Sequence, residues 1–214
     1  MSEGIFERAV EVIVQGNAQE AMEVAKRGLG EGVDPIDLMN QGFIPGINKV
    51  GDLFGSGRLF LPELVMSANA MEQVTGLINE AIPSDQEQTS GRVVIATVEG
   101  DVHDIGKTIV VSLLRANGFE VMDLGRDVAV SRLIEEADKF DANIIGTSAL
   151  LTTTMGAQKQ LEEDLKAAGL KDRFKTMVGG APVTQRWAKR IGADAFAEDA
   201  IEAVNKAKAL LQIA

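Results

Sequence analysis

The chain has 214 residues, 45% of them hydrophobic, with a mean hydropathy of +0.05, enough to bury one good core or two modest ones. Its formal net charge of −11 argues against a nucleic-acid partner, because neutralising phosphates needs a clustered basic surface, and its lack of cysteine removes disulfides, thiolate zinc sites, cysteine-ligated iron–sulfur clusters and thiol nucleophiles. No apolar run approaches the roughly 20 residues that span a bilayer, and residues 1–4 lack the basic start and apolar middle of a signal peptide, so a cytoplasmic protein with no membrane partner is expected.

In chain order, the first part reads as helix after helix. Phe6, Val10, Ile13 and Val14 recur at helical spacing, and Asp34-Pro35 is a capping residue followed by a first-turn proline. Gly55-Ser56-Gly57 breaks a third helix, and Pro62 starts a fourth whose Leu61, Leu64, Val65, Ala68 and Met71 mark one face. This predicts an α-helical bundle over residues 1–82. Residues 83–91, with one proline, one glycine and seven polar residues, read as an exposed linker.

Over residues 92–214 strand-like runs alternate with amphipathic helices. The expected strands are Arg92–Val98, Phe119–Leu124, Asn143–Thr147, Thr176–Val178 and Ala193–Phe196. Repeated strand–helix units imply a parallel, doubly wound sheet, and five strands favour the flavodoxin-like order 2-1-3-4-5. A ligand then sits beyond the carboxyl ends of strands 1, 3 and 4. The distinctive loops begin at those three ends: residues 100–106, 148–155 and 179–182.

The first of these loops, Gly100-Asp101-Val102-His103-Asp104-Ile105-Gly106-Lys107, holds the one histidine in the chain. Five residues separate its Gly100 from Gly106 where a phosphate-binding P-loop needs four. A phosphorylated receiver would want an aspartate where strand 3 ends in Thr147-Ser148, and the Gly-x-Ser-x-Gly elbow of a serine hydrolase is absent. His103 is either a solvated loop residue or a metal ligand. Asp101 favours the second, since a carboxylate that takes the proton of one ring nitrogen makes the other a better metal donor. Gly106 serves either a tight turn or close backbone approach to a bulky ligand, and Lys107 is expected to face water. One protein ligand is too few for zinc, so a metal would arrive held in a tetrapyrrole-type macrocycle. Ser148, Thr152, Thr153 and Thr154 supply more hydroxyls than one helix cap uses, although one or two are expected to cap. Gly179-Gly180 is either an ordinary turn or a slot for a flat or extended group.

Three linked elements carry a family resemblance. Asp101, His103 and Gly106 give Asp-x-His-x-x-Gly, Ser148 and Leu150 give Ser-x-Leu, and Gly179-Gly180 completes the set, with 41 residues between the first two and 28 between the last two. This pattern resembles that of the cobalamin-binding proteins. Residues 50–55 and 59–64 resemble the helical cap of their methyl-transferring members. Residues 152–155 and 175–185 look most like the methylamine corrinoid proteins of methylotrophic methyltransferase systems, and the whole is similar to the cobalamin module of methionine synthase.

The resemblance implies that a cobalamin or related corrinoid binds base-off, with His103 as the axial cobalt ligand in place of the cofactor's benzimidazole. Asp101 would orient His103, and Thr154 would extend the hydrogen-bonded chain where methionine synthase has serine. Val102, Asp104, Ile105 and Gly106 would complete the cofactor-contacting loop. Ser148, Leu150 and Thr152 would line the channel for the displaced nucleotide tail, with Gly179 and Gly180 giving it room. Phe54, Leu61 and Leu64 would press on the methyl-bearing face, although apolar residues at helical spacing usually just pack a bundle.

The implied function is that of a methyl carrier with no catalytic residue beyond its cofactor. A substrate-specific methyltransferase would transfer a methyl group from a methylated amine, or a related donor, to cobalt(I). The methylcobalamin so formed would give the methyl to a second methyltransferase serving a thiol coenzyme or a tetrahydrofolate-type pterin. A reductive activase would be a further partner. The rival readings are a cobalamin module of a methionine-synthase-like or mutase system, and a non-catalytic corrinoid-binding or storage protein.

Overall fold

The computed structural model describes residues 2–81 and 90–213, in two compact units taken here in turn. Of the expected linker, residues 83–89 lie outside the described residues, as does Ile82.

The first unit is helical: α1 (Ser2–Val14), α2 (Ala18–Gly30), α3 (Pro35–Asp37), a π-helical turn (Leu38–Phe43), α4 (Ile44–Gly55) and α5 (Leu61–Ala81). Asn17 caps α2 by accepting the Glu20 N–H, and Asp34 caps α3 by accepting the N–H groups of Ile36 and Asp37, with Pro35 in the first turn. The buried stripe of α1 is Ile5, Ala9, Val12 and Ile13, while Phe6, Val10 and Val14 are only half-buried, a correction to the expected face. The small Ala9 faces Gly42, where a Cβ would lie 2.9 Å from that of Ala9, so the stripe follows the close approach of two backbones rather than the largest side chains. On α5, Leu64, Ala68 and Met71 are buried as expected, Leu61 is half-buried, and Val65 is exposed. The buried face of α5 turns instead through Ser67, Ala70, Val74 and Ile78.

The second unit is a five-stranded, all-parallel sheet of β1 (Arg92–Thr97), β2 (Glu120–Asp123), β3 (Ile144–Ser148), β4 (Lys175–Gly179) and β5 (Ala195–Phe196). Its order is 2-1-3-4-5, as the strand–helix alternation predicts. The helices are α6 (Ile105–Ala116), α7 (Val130–Lys139), α8 (Met155–Ala167), α9 (Gln185–Ile191) and α10 (Ala200–Leu210). Near-continuous burial of the central strands reflects a sheet covered on both faces. Val94, Ala96 and Ile145 pack with Leu133, Leu161, Leu165 and Phe174 in one layer of the core.

Register decides where the loops begin. Thr97 of β1 pairs with Ser148 of β3, and Ser148 pairs with Gly179 of β4. Three strands therefore end level, and their loops leave from one carboxyl edge.

Candidate functional site

Asp101 is the centre of the site. The turn after β1, in which Gly100 has φ +79° and the Asp101 N–H donates to the Val98 carbonyl at 3.1 Å, carries the side chain inward until it is fully buried. Oδ1 accepts the His103 backbone N–H at 3.1 Å and lies 2.8 Å from His103 Nδ1. Oδ2 accepts the N–H of Leu150 at 2.7 Å, the N–H of Leu151 at 3.2 Å and the hydroxyl of Thr154 at 2.8 Å. One carboxylate thus ties the loop after β1 to the loop after β3. Burial by itself would push its pKa up. The His103 backbone N–H, the His103 ring, the Thr154 hydroxyl and the Leu150 N–H outweigh burial and hold the carboxyl well below the usual carboxylate range.

This fixes the chemistry of the imidazole. An ionised carboxylate only accepts hydrogen bonds, so His103 Nδ1 carries a proton, and in the neutral imidazole the lone pair lies on Nε2. The Thr97 hydroxyl donates to the His103 carbonyl at 3.0 Å, so the main chain of the histidine is held as well as its ring. The ring itself is half-exposed, at 48%. It stands among apolar side chains that are also exposed: Val102 at 59%, Ile105 at 72%, and Leu150 and Leu151 at 41% each. Exposed aliphatic side chains in the two loops that meet at Asp101, together with a half-exposed imidazole, form a surface suited to a flat, largely apolar ligand.

Among the described residues, no group of three His, Cys, Asp or Glu side chains is placed to hold a bare ion. The donor set fits a metal that brings most of its own ligands in a macrocycle. Gly106 fits it too. This residue is exposed in the first turn of α6, where a Cβ would meet nothing within 4 Å. Packing within the protein gives no reason for glycine there, whereas close approach of a bulky ligand does.

Gly180 is a glycine for a different reason. Its φ is +122°, and a Cβ would overlap the backbone carbonyl of Ala149. Two loops pass too closely for any side chain, so the fold alone requires this residue. At Gly179 a Cβ would lie 3.3 Å from the Ala197 carbonyl oxygen, a tight but adjustable contact. Ser148 is half-buried at the level carboxyl edge, Thr152 is exposed in the turn before α8, and Asp104 is half-buried just before α6. Phe54 and Leu61 are half-buried in the helical unit, and Leu64 is completely buried in it.

Two sequence expectations are corrected. Lys107 does not face water: its side chain is 1% exposed and pairs with Asp123, at the end of β2. Its position one residue after an exposed glycine conceals this, since sequence does not show that the next turn of α6 lies over β2. One or two of the hydroxyls after β3 were expected to cap α8, yet Thr154 at its N-cap makes no side-chain capping bond; its hydroxyl donates to Asp101, extending the chain as the resemblance implies, and reaches the Leu151 carbonyl. One residue was missed. Gln158, fully buried, donates to the Thr147 and Gly179 carbonyls at 3.2 Å and accepts from the Trp187 ring N–H at 3.1 Å, bracing the ends of β3 and β4. A polar residue within an amphipathic helix gives no sequence signal of such a role.

A family profile described as B12 binding domain matches residues 91–205, and a second of the same description matches residues 5–79. Trimethylamine corrinoid protein 2 of Methanosarcina mazei is 46% identical over 213 residues, covering 99% of this chain and 98% of that protein. The dimethylamine corrinoid protein of Methanosarcina barkeri is 44% identical, covering 98% of both chains. Among solved structures, a chain of the methanol:cobalamin methyltransferase complex of Methanosarcina barkeri matches with a TM-score of 0.85 at 33% identity, covering 99% of this chain and 81% of that one.

Proposed function

The chain belongs to the B12-binding corrinoid proteins, and on that premise we propose that His103 Nε2 coordinates the cobalt of a cobalamin whose own base has been displaced. It is a corrinoid methyl carrier that works with a methyltransferase. The tri- and dimethylamine corrinoid proteins among its relatives support a methylated amine as the donor. A second methyltransferase, acting on a thiol coenzyme or a tetrahydrofolate-type pterin, and a reductive activase complete the proposed cycle, which runs in the cytoplasm. No helix among the described residues is long and apolar enough to cross a membrane.

When bound, the corrinoid supplies a metal centre able to take up a methyl group from one partner and release it to another. The chain's own residues set the terms of that chemistry. Asp101 keeps the proton on Nδ1 and so reserves Nε2 for the metal. Thr154 and the Leu150 and Leu151 amides keep Asp101 ionised and in place. Val102, Ile105, Leu150 and Leu151 would shield the His103 side of the bound macrocycle from water, and Gly106 would let the backbone approach it. The level ends of β3 and β4 support Ser148, Leu150, Thr152, Gly179 and Gly180 as the lining for the displaced tail.

The observation that carries this reading is the 2.8 Å contact between His103 Nδ1 and the buried Asp101 carboxylate. It is tested by reconstituting the protein with hydroxocobalamin and recording the spectrum of the methylated form. The wild type should retain its colour through desalting and show imidazole ligation, and His103→Ala should lose that signature and bind the cofactor more weakly. An unchanged spectrum in the variant removes the axial role. Methyl transfer from a methylated amine, in the presence of its methyltransferase, separates a carrier from a storage protein.

A further inference from the structure

The histidine loop is fastened from two sides, and the Asp101 carboxylate accounts for only one. The second is the segment that follows β2. It runs on beside β1 past the end of the sheet proper: Thr97 N–H donates to the Gly125 carbonyl at 2.9 Å, Val128 N–H returns to the Thr97 carbonyl at 3.2 Å, and Val98 bridges Val128 in parallel. The start of this segment is itself fixed, since Asp123 accepts the Gly125 N–H at 2.9 Å and pairs with the buried Lys107 of α6.

Asp127, in the middle of this segment, makes two bonds to the histidine loop. Its carboxylate Oδ1 accepts the Gly100 N–H at 2.7 Å, and its own N–H donates to the Asp101 carbonyl at 3.0 Å. Next to it, Arg126 reaches the Val102 carbonyl at 3.5 Å. Asp127 has φ +55°, a left-handed backbone that aspartate tolerates better than most residues. A turn aspartate of the ordinary kind bonds backbone two residues on. This one reaches 27 positions back, to the glycine whose freedom of rotation would otherwise let the Asp101 turn drift.

We infer that Asp127 is a positioning residue for cobalt ligation. By fixing the main chain of Gly100 and Asp101, it sets where the Asp101 carboxylate points, and through it which ring nitrogen of His103 is presented to the metal. Supporting groups one step removed from a metal ligand commonly govern its orientation and affinity. This inference rests on the reading that His103 binds cobalt.

Because the chain has a single histidine, the imaging of its tautomer is unambiguous: the imidazole nitrogens of the 15N-labelled full-length apoprotein give one pair of signals. Two variants separate the backbone from the side chain. Asp127→Gly keeps the left-handed turn available but removes the carboxylate; Asp127→Asn keeps an acceptor oxygen. Wild type and Asp127→Asn should both hold the proton on Nδ1 and bind hydroxocobalamin alike. Asp127→Gly should show a mixture of the two tautomers and bind about tenfold to a hundredfold more weakly, with an unfolding midpoint close to wild type. The inference is overturned if Asp127→Gly keeps the wild-type tautomer, whatever happens to affinity. Should that variant not fold, hydrogen exchange at Gly100 in the wild type decides, because an unprotected amide there excludes the bond to Asp127. Failure of the ligation reading looks different: His103→Ala then binds hydroxocobalamin as tightly as wild type, while the tautomer comparison in apoproteins still stands.

Discussion

The Thr154 hydroxyl donates to Asp101 Oδ2 at 2.8 Å across 53 positions of sequence, from a place at the start of α8 where a threonine ordinarily bonds its own helix. The helix gives up a cap so that a buried carboxylate can be fully satisfied. Thr154→Val should therefore destabilise the apoprotein by about 1–3 kcal/mol in denaturant unfolding, and Thr154→Ser by under about 0.5 kcal/mol, because serine keeps the donor. In a double-mutant cycle with Asp101→Asn, the two changes should couple by about 1 kcal/mol. Additivity would place the hydroxyl's role elsewhere.

The two glycines of the site should respond in opposite ways to alanine. At Gly106 a methyl group enters open space on a helix, so the apoprotein should be unchanged or up to about 1 kcal/mol more stable. Its hydroxocobalamin affinity should fall by about tenfold or more, the effect of the 1–3 kcal/mol that overpacking typically costs. Gly180→Ala combines a φ of +122° with overlap on the Ala149 backbone, and should leave little folded protein. Circular dichroism of the apoproteins followed by a binding titration distinguishes the two.

The buried pair of Lys107 and Asp123 should be asymmetric. Lys107→Met removes the inner charge and leaves Asp123, a quarter exposed, to water, so its cost should be small. Asp123→Ala strands an ammonium that is 1% exposed, and should cost roughly 3–5 kcal/mol in urea unfolding. Equal costs would mean that solvent reaches Lys107.

Acid sensitivity has a source far from the histidine. Lys171 bridges Glu162 and Asp194 at 2.8 and 2.7 Å. Burial pushes the Asp194 carboxyl up, but the Lys171 ammonium and the Thr176 N–H and hydroxyl hold it below its ordinary value of 3.8. A carboxyl whose pKa is lower in the folded than in the unfolded state binds fewer protons when folded. Its contribution is complete above 3.8 and is lost as the pH falls through the lower folded value. Asp194→Asn should flatten the fall in stability over that acid range and leave its slope at neutral pH unchanged, which unfolding midpoints measured as a function of pH will show.

Much of the architecture is legible because it follows from local rules. Five apolar runs separated by helical stretches leave few topologies, and the sheet has the order those runs imply. Helix packing was less legible. Periodicity finds an apolar face but not what lies across it, so it favours Phe6 and Val10 on α1 where the structure buries Ile5 beside Gly28 and Ala9 against Gly42, and it places Val65 inside where it lies outside. Lys107 eludes sequence for the same reason, since its partner is 16 residues away on a different element.

At the site, composition alone limits the chain to one imidazole and no thiolate, so that a metal held by nitrogen or sulfur ligands must bring most of them itself. Which nitrogen that imidazole offers was decided only by the folded chain. Beyond what His103 itself supplies, the Asp101 carboxylate is kept ionised by Thr154 and Leu150 and is held in place also by Leu151, and these stand 53, 49 and 50 positions away. Groups so distant in sequence converge on one carboxylate because β1 and β3 are neighbours in the sheet and end in register.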